Sequence, residues 1–550
     1  MPNIKLTTSY NFERQNDGMN VNALFPMSRS FATVKHLVKS SPLRHTISIL
    51  LIILCCFRSV AQVTPGEDKV LNYRIVGFTF PDQGKVHQQL QIALGNCQTE
   101  ASFEQAIFKK MSLSTNKVVV EVPSFGTAYT WRTLCTDKGK PQLRSPLHHF
   151  TIGSCPMVDT SHYRLRILKP ASKYQDGYVF LDGSRVLYDM KGAPVWYLPD
   201  IYGGQSTVND LKMTPQGTIT FLLDGGAYEI NYDGDILWHA PSIEGMDYLP
   251  GGQYNHQLTR LANGNYMVLG TETTFLTPKT SALDNGYIEA DSHKKIQAAD
   301  SLKNTLNATI LEFNQEGQVV WSWRLSSYPR LHAAYYPQRP DGKSVYMMHQ
   351  NAFFFDEKNQ VVYLSLRIGS RILKINHTDG AVLADYGDEE RPGSPKVKNS
   401  VFSGQHACNI SADGDLYLFN NNVADFLKIP EILKFKEPKS GNGQLTKVWV
   451  YQCPVEDAAL INASPRFFQT GGNVTELPDR SFFVSMPAQY SKLFIVGGDK
   501  RLIWEAVAEQ WAPDDHAWRK YSQYRASMVC SAGDLGRLIW RRAPELSANF

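Results

Sequence analysis

A strand–turn–strand unit recurs six times along this chain, and a repeat of that kind constrains the fold more than any single motif. The copies read "RVLYDMKGAPVWYLP" from Arg185, "AYEINYDGDILWHAP" from Ala227, "ILEFNQEGQVVWSWRL" from Ile310, "ILKINHTDGAVLADYG" from Ile372, "ILKFKEPKSGNGQLTKVWVYQ" from Ile432 and "LFIVGGDKRLIWEAVA" from Leu493. Each is an apolar strand, a polar turn and a second strand carrying Trp196, Trp238, Trp321, Ala384, Trp449 or Trp504. A second hairpin lies between successive copies: "NDLKMTPQGTITFLL", "NHQLTRLANGNYMVLG", "NAFFFDEKNQVVYLSL", "HACNISADGDLYLFN" and "GNVTELPDRSFFVSM". Together they give four strands per unit at a period of roughly 40 to 65 residues, the signature of a β-propeller blade. The missing strand is supplied by "SQYRASMVCS", which pairs with "DGYVFLDG", closes the ring and removes the free sheet edges. The expected fold is all-β: a six-bladed β-propeller over 171–550, preceded by a small N-terminal β-sandwich domain over 62–170.

The sandwich is read from short alternating runs such as "YRIVGFTF", "HQQLQIAL", "KVVVEVP", "AYTWRTLC" and "YRLRILKP", with one helix-like stretch, "SFEQAIFKKM". Residues 1–61 read as a leader and a secretory signal peptide. Basic Lys35, Lys39 and Arg44 precede an apolar run from Ile47 to Phe57, and Ser59-Val60-Ala61 is a small-x-small cleavage site. The apolar run is too short for a typical transmembrane span, so a periplasmic or secreted protein with no stable membrane span is expected. Such a compartment permits disulfides, and a bond among Cys97, Cys135 and Cys155 is expected. The net charge of +4 over 550 residues, with no basic block beyond the leader, gives no support to a nucleic-acid partner.

Aligning the inner hairpins on their turns brings out a candidate site. With Gly217, Gly264 and Gly414 in register, the residues eight positions upstream are Asn209, His256 and His406. The third hairpin places Asn351 there, with His349 two residues earlier; the fifth offers Thr470 and Gly472. First strands of propeller blades line the central channel. The repeat therefore predicts that His256, His349, Asn351 and His406 share one cavity, and a strand pairing brings Arg367 towards it. Imidazole, amide and guanidinium with few carboxylates make a poor calcium or magnesium site. Three histidines suit zinc, but an adjacent arginine repels a cation. The set fits an oxyanion such as a sulfate or phosphate ester, with one neutral imidazole free to act as nucleophile or base. No P-loop, GxSxG elbow, GxGxxG fingerprint or formylglycine-sulfatase motif occurs. No metal and no bound cofactor is expected. His406 and Cys408, two residues apart on one strand face, part company in this alignment, because no other unit has a matching cysteine.

The ordered set "NHQ" at His256, "HQN" at 349–351, Arg367, "QHA" at His406 and "YRA" at 524–526 resembles the bacterial periplasmic aryl-sulfate sulfotransferases, which work without the nucleotide sulfate donor PAPS. The resemblance implies a two-step, ping-pong transfer of a sulfuryl group from an aryl sulfate to a phenolic acceptor. It makes His406 the nucleophile that becomes sulfohistidine and His256 the acid or base, both catalytic. His349, Asn351, Arg367 and Thr470 become the substrate-binding residues. The partners are small molecules, and a homodimer is left open. One departure is that Ala384 to Gln405 contains no cysteine, where the family can carry a short disulfide loop. Two other functions fit the residues alone: an exported propeller lyase or hydrolase acting on an anionic ester or polysaccharide, and a non-catalytic anion-binding propeller.

Overall fold

Both hairpin types form where the alternation places them, and they join into antiparallel sheets. The computed structural model describes residues 63–81, 87–136, 142–159, 162–200, 207–243, 253–276, 303–328, 345–346, 349–367, 370–387, 401–423, 429–439, 443–455, 471–486 and 490–541. These belong to one compact unit, Gln62–Phe550. The leader and signal-peptide region, 1–61, and Thr470 lie outside the described residues.

Among the described residues, six sheets built from the repeats each contain a run of four antiparallel strands. We number the innermost strand of each in chain order: β1 (Val208–Met213), β2 (Tyr254–Arg260), β3 (Gln350–Asp356), β4 (His406–Ile410), β5 (Asn473–Glu476) and β6 (Ala526–Val529). Strands β1 to β5 each lead a sheet of consecutive strands. β6 instead pairs with Tyr178–Leu181, in the register Tyr178↔Val529 to Leu181↔Ala526, and so completes the sheet formed by residues 178–197. Successive inner strands from β1 to β5 are neighbours, and β6 lies against β1. β5 and β6 meet through a reciprocal pair: Asn473 Nδ2 donates to the Ala526 carbonyl at 2.9 Å, and the Ala526 N–H donates to Asn473 Oδ1 at 3.1 Å. Gly217, Gly264 and Gly414 occupy the left-handed region at φ +80°, +91° and +83° in the inner turns. Only glycine reaches that conformation without a Cβ penalty, which is why these three residues align the hairpins.

Tryptophans of the outer strands tie four of the six sheets to the next. Trp196 Nε1 donates to the Tyr232 carbonyl at 2.8 Å, and Trp449 Nε1 to the Gly498 carbonyl at 3.0 Å. Trp504 Nε1 reaches back to the Met190 carbonyl of the first sheet at 3.1 Å. In the third sheet the bond is made by Trp323, to Gly380 at 3.1 Å, while Trp321 stacks on His377. A buried tryptophan of this kind is worth about 3–5 kcal/mol against alanine.

The N-terminal region forms a sheet ordered Lys69–Leu71, His148–Ile152, Thr127–Thr136, His87–Leu94, Ile107–Leu113, and a two-stranded sheet of Ile75–Thr79 with Lys117–Glu121. Phe78 of the small sheet packs edge-on to Trp131 and Phe150 of the large one. Their core is continuous with Phe180, Trp196 and Phe221 of the first two repeat sheets. "SFEQAIFKKM" divides: Glu100–Ala106 is a helix capped by Thr99, and a strand begins at Ile107. The strand read as "YRLRILKP" leaves this region; Tyr163–Lys169 pairs with Leu502–Ala512 of the last repeat sheet. The disulfide expected among Cys97, Cys135 and Cys155 is not formed; all six described cysteines are free. Cys97 and Cys155 are buried in separate apolar clusters, and Cys135 lies on the strand Thr127–Thr136.

Candidate functional site

Each inner strand that carries a candidate residue breaks its ladder at the same level. The pairing shifts between Asn209 and Lys212 in β1, Asn255 and Leu258 in β2, Gln350 and Ala352 in β3, and His406 and Asn409 in β4. A bulge inserts unpaired residues and re-aims side chains, which is why bulges concentrate near active sites. Several non-glycine residues here are left-handed: Asp210 at φ +57°, His256 at +62°, His349 at +32° and Ala407 at +50°. Each conformation of this kind costs about 1–2 kcal/mol. The bulges also correct the register read from the turns. Asn209, Asn255 and His406 pair opposite Leu222, Leu269 and Phe419, so His406 matches Asn255 rather than His256. The bulge of β2 holds two residues, His256 and Gln257, where β1 and β4 each hold one extra, and counting back from the glycine cannot detect the difference.

The histidines nonetheless come together. The rings of His256 and His349 lie 4.8 Å apart at 51°. His406 is fully buried and lies close enough to His256 that, with His349, Arg525 and Arg367, it disfavours protonation of that ring. The Arg367 N–H donates to the His349 carbonyl at 2.9 Å, and its guanidinium disfavours protonation of all three imidazoles. Burial is the larger cause in each case. It pushes His349 down to about 3 and holds His256 and His406 well below the usual histidine range. All three are therefore neutral at pH 7, and the fixed charge beside them is positive. Among the described residues no group of three His, Cys, Asp or Glu side chains is placed to hold a metal ion.

The contacts of His406 fix its tautomer. Its Nδ1 is 2.7 Å from Asn421 Oδ1 and 3.1 Å from the Gly404 carbonyl, which can only accept. Its Nε2 receives the Gly471 N–H at 3.2 Å, which can only donate. Nδ1 therefore carries the proton and Nε2 the lone pair. Asn421 Nδ2 donates to the Gly471 carbonyl at 3.2 Å, which orients the amide in agreement. Asn351 is fully buried; its Nδ2 donates to the Gln405 carbonyl at 2.7 Å, its backbone carbonyl receives Arg525, and its Oδ1 has no hydrogen-bond partner among the described residues. Cys408, fully inside, turns its thiol to the Tyr363 carbonyl at 3.6 Å.

Four further residues complete the site, and no role was read for them in the sequence. Asn421 and Gly471 hold the two nitrogens of His406. Tyr524 Oη lies 2.5 Å from His256 Nδ1. Arg525 Nη1 donates to Asp210 Oδ1 at 2.9 Å, and Lys212 Nζ to Asp210 Oδ2 at 2.6 Å. Asp182 accepts the Asp210 and Leu211 N–H groups, and burial beside the Asp210 charge raises it to about 8. The signals available in sequence were the polar run "FNNN" ending a strand, Asn421 among it, and the "YR" pair before β6.

The fold and site define an all-β protein of repeated four-stranded sheets with a buried cluster of neutral imidazoles beside arginine. The family model described as Arylsulfotransferase (ASST) matches residues 279–452, the segment that carries His349, Asn351, Arg367, His406 and Asn421. The match covers about a third of the chain and supports an arylsulfotransferase family member, with aryl sulfotransferase activity in general. No curated protein matches the chain. Among solved structures it is similar to a protein of unknown function from Bacteroides caccae, at 14% identity over 60% of this chain and 93% of the other, TM-score 0.36. It is also similar to apo AztD from Citrobacter koseri, at 10% identity over 81% and 98%, TM-score 0.31. A third is the Pseudomonas aeruginosa periplasmic gluconolactonase PpgL, at 10% identity over 67% and 99%, TM-score 0.32. Likenesses this distant carry no argument about function.

Proposed function

We propose that this protein moves a sulfuryl group from an aryl sulfate to a phenolic acceptor by two displacements at His406, with no nucleotide sulfate donor. The observation that carries the proposal is the tautomer of His406: a neutral imidazole with Nδ1–H anchored to carbonyl oxygens and an Nε2 lone pair turned towards Gly471. In the first step Nε2 attacks sulfur, the N–S bond forms, and the S–O bond to the phenol breaks, leaving a sulfohistidine. The Gly471 N–H, released from Nε2, is placed to meet a sulfuryl oxygen. Arg367 supplies positive charge for the oxyanion through the transition state, and His349 and Asn351 supply directional contacts. His256 assists proton transfer at the phenol oxygen. In the second step an acceptor phenol attacks the same sulfur and restores the imidazole. Thr470, next to Gly471, is included as a sulfate contact.

The same reading takes the six sheets as blades of a β-propeller closed by β6, with the N-terminal sheets as a small sandwich that shares a core with the first two, and the protein as periplasmic or secreted. The cycle of neighbouring inner strands and the Trp504 link to the first sheet support the ring. No described helix is long and apolar enough to cross a membrane. The decisive experiment is incubation with a sulfur-labelled aryl sulfate in the absence of acceptor, followed by acid-free peptide mapping. Label on His406 that chases onto added phenol is the expected result. Phenol release with no labelled protein, or normal turnover by His406→Ala, would remove His406 as the nucleophile.

A further inference from the structure

The proposed reaction asks opposite things of two neutral imidazoles. One must offer a lone pair to sulfur, and the other must offer a proton to the departing phenolate. A neutral imidazole has one N–H, so which nitrogen carries it decides which task the ring performs. We propose that Tyr524 is the positioning residue that fixes His256 as the Nε2–H tautomer, opposite to His406, and so makes it the proton donor to the leaving phenolate. The inference rests on the reading given above.

Three observations carry it. Tyr524 Oη lies 2.5 Å from His256 Nδ1, and its hydroxyl has no other hydrogen-bond partner among the described residues. If Nδ1 carried the proton, the tyrosine O–H would have no acceptor in a half-buried position. The arrangement that satisfies both groups has the phenol donating to Nδ1 and leaves the proton on Nε2. Second, both groups are neutral at pH 7. Burial lifts the phenol to about 12, and burial with the nearby cationic groups holds His256 unprotonated. Third, Tyr524 is pinned by the same backbone that touches His406. Its carbonyl receives the Gly472 N–H at 2.9 Å, and Gly471 packs so closely that a Cβ there would stand 2.8 Å from that carbonyl. The segment 471–472 thus holds the lone pair of one histidine and seats the residue that orients the other. As the S–O bond breaks, the His256 Nε2 proton passes to the phenolate oxygen and the Tyr524 O–H proton passes to Nδ1, so the ring stays neutral and the negative charge rests on the Tyr524 oxygen, where Arg525 and Arg367 favour it. The acceptor phenol reverses both transfers, giving its proton to Nε2 as its oxygen bonds to sulfur, and His256 and Tyr524 end each cycle unchanged.

The test uses the full-length protein and a series of aryl sulfates whose phenols range from nitrophenol, a good leaving group, to unsubstituted and methoxy-substituted phenols. General acid assistance is worth about 10²–10⁴-fold and matters most for the poorest leaving group. In Tyr524→Phe the first-step rate for the nitrophenyl ester should stay within about threefold of wild type, while the methoxyphenyl ester should lose about thirtyfold or more. The dependence of rate on leaving-group basicity therefore steepens. An equal loss along the series marks a structural role, and no loss marks no role; either overturns the inference. A wild-type protein that releases phenol from none of the esters would instead sink the proposed function itself. Imidazole ¹⁵N chemical shifts of the wild-type protein give a check that does not depend on the variant's folding. They should show the proton on Nε2 for His256 and on Nδ1 for His406, and the same tautomer on both rings refutes the proposal.

Discussion

Replacing Asn421 by alanine isolates what the anchor of the nucleophile contributes. The side chain accepts from His406 Nδ1 at 2.7 Å and donates to the Gly471 carbonyl at 3.2 Å, so both polar ends are engaged by the protein. As Nε2 attacks sulfur, the imidazole gains positive charge, and the bond to Asn421 Oδ1 becomes a hydrogen bond from a cation. Bonds of that class contribute about 1.5–3 kcal/mol. At about 1.4 kcal/mol per decade of rate, Asn421→Ala should slow sulfuryl transfer to His406 by about 10- to 150-fold. The Gly404 carbonyl, 3.1 Å from Nδ1, keeps the tautomer in place, so activity falls without vanishing. The assay is pre-steady-state release of nitrophenol from its sulfate ester, in which the burst reports the first displacement. The burst rate should fall while KM stays within about twofold, because the loss lies in transition-state stabilisation. A burst rate within about threefold of wild type, or a loss confined to KM, refutes the reasoning.

Two further predictions address the backbone and the titration of the site. In Gly471→Ala the new Cβ meets the Tyr524 carbonyl at 2.8 Å at a residue with φ +82°, so the variant should lose at least tenfold in rate and about 1–2 kcal/mol in denaturant stability; wild-type values on both counts would show that this contact is not tight. His256, His349 and His406 are all held below their unfolded value of about 6.5, so the unfolded chain binds more protons in acid, and the stability they contribute is fully present above about pH 6.5 and lost as pH falls below it, for His349 down to about 3. Each contributes up to about 1.4 kcal/mol per pH unit inside that window. Urea midpoints that stay level from pH 7 to pH 5 would contradict it.

The architecture was legible because its signals are local and repeated. A left-handed glycine in an inner turn and a tryptophan on an outer strand recur often enough to align hairpins that share little else. His256, His349, Asn351 and His406 followed from that alignment, since residues at one level of successive inner strands meet. The exact facing of His256 did not follow, because the second bulge residue in β2 has no glycine or proline to mark it. Asn421, Tyr524 and Arg525 carried no assigned role for a different reason. Tyr524 and Arg525 act through partners far away in the chain, Tyr524 on His256 and Arg525 on Asp210 and the Asn351 carbonyl, while Asn421 acts on His406 across its own hairpin. Nothing in the residues around them records that pairing.

The pairing of β6 with Tyr178–Leu181 also bears on when the centre exists at all. Tyr524 and Arg525 sit immediately before β6, and they reach His256 and Asp210 when that strand docks against sheets laid down hundreds of residues earlier. A chain with its early sheets formed and its last strand unpaired has His406 and His256 but lacks the phenol and the guanidinium that address them. Assembly of the chemistry is thus a readout of completed topology: a partly folded or clipped molecule lacks the groups that orient His256 and pair with Asp210, and recovery of full turnover during refolding times the arrival of one four-residue strand.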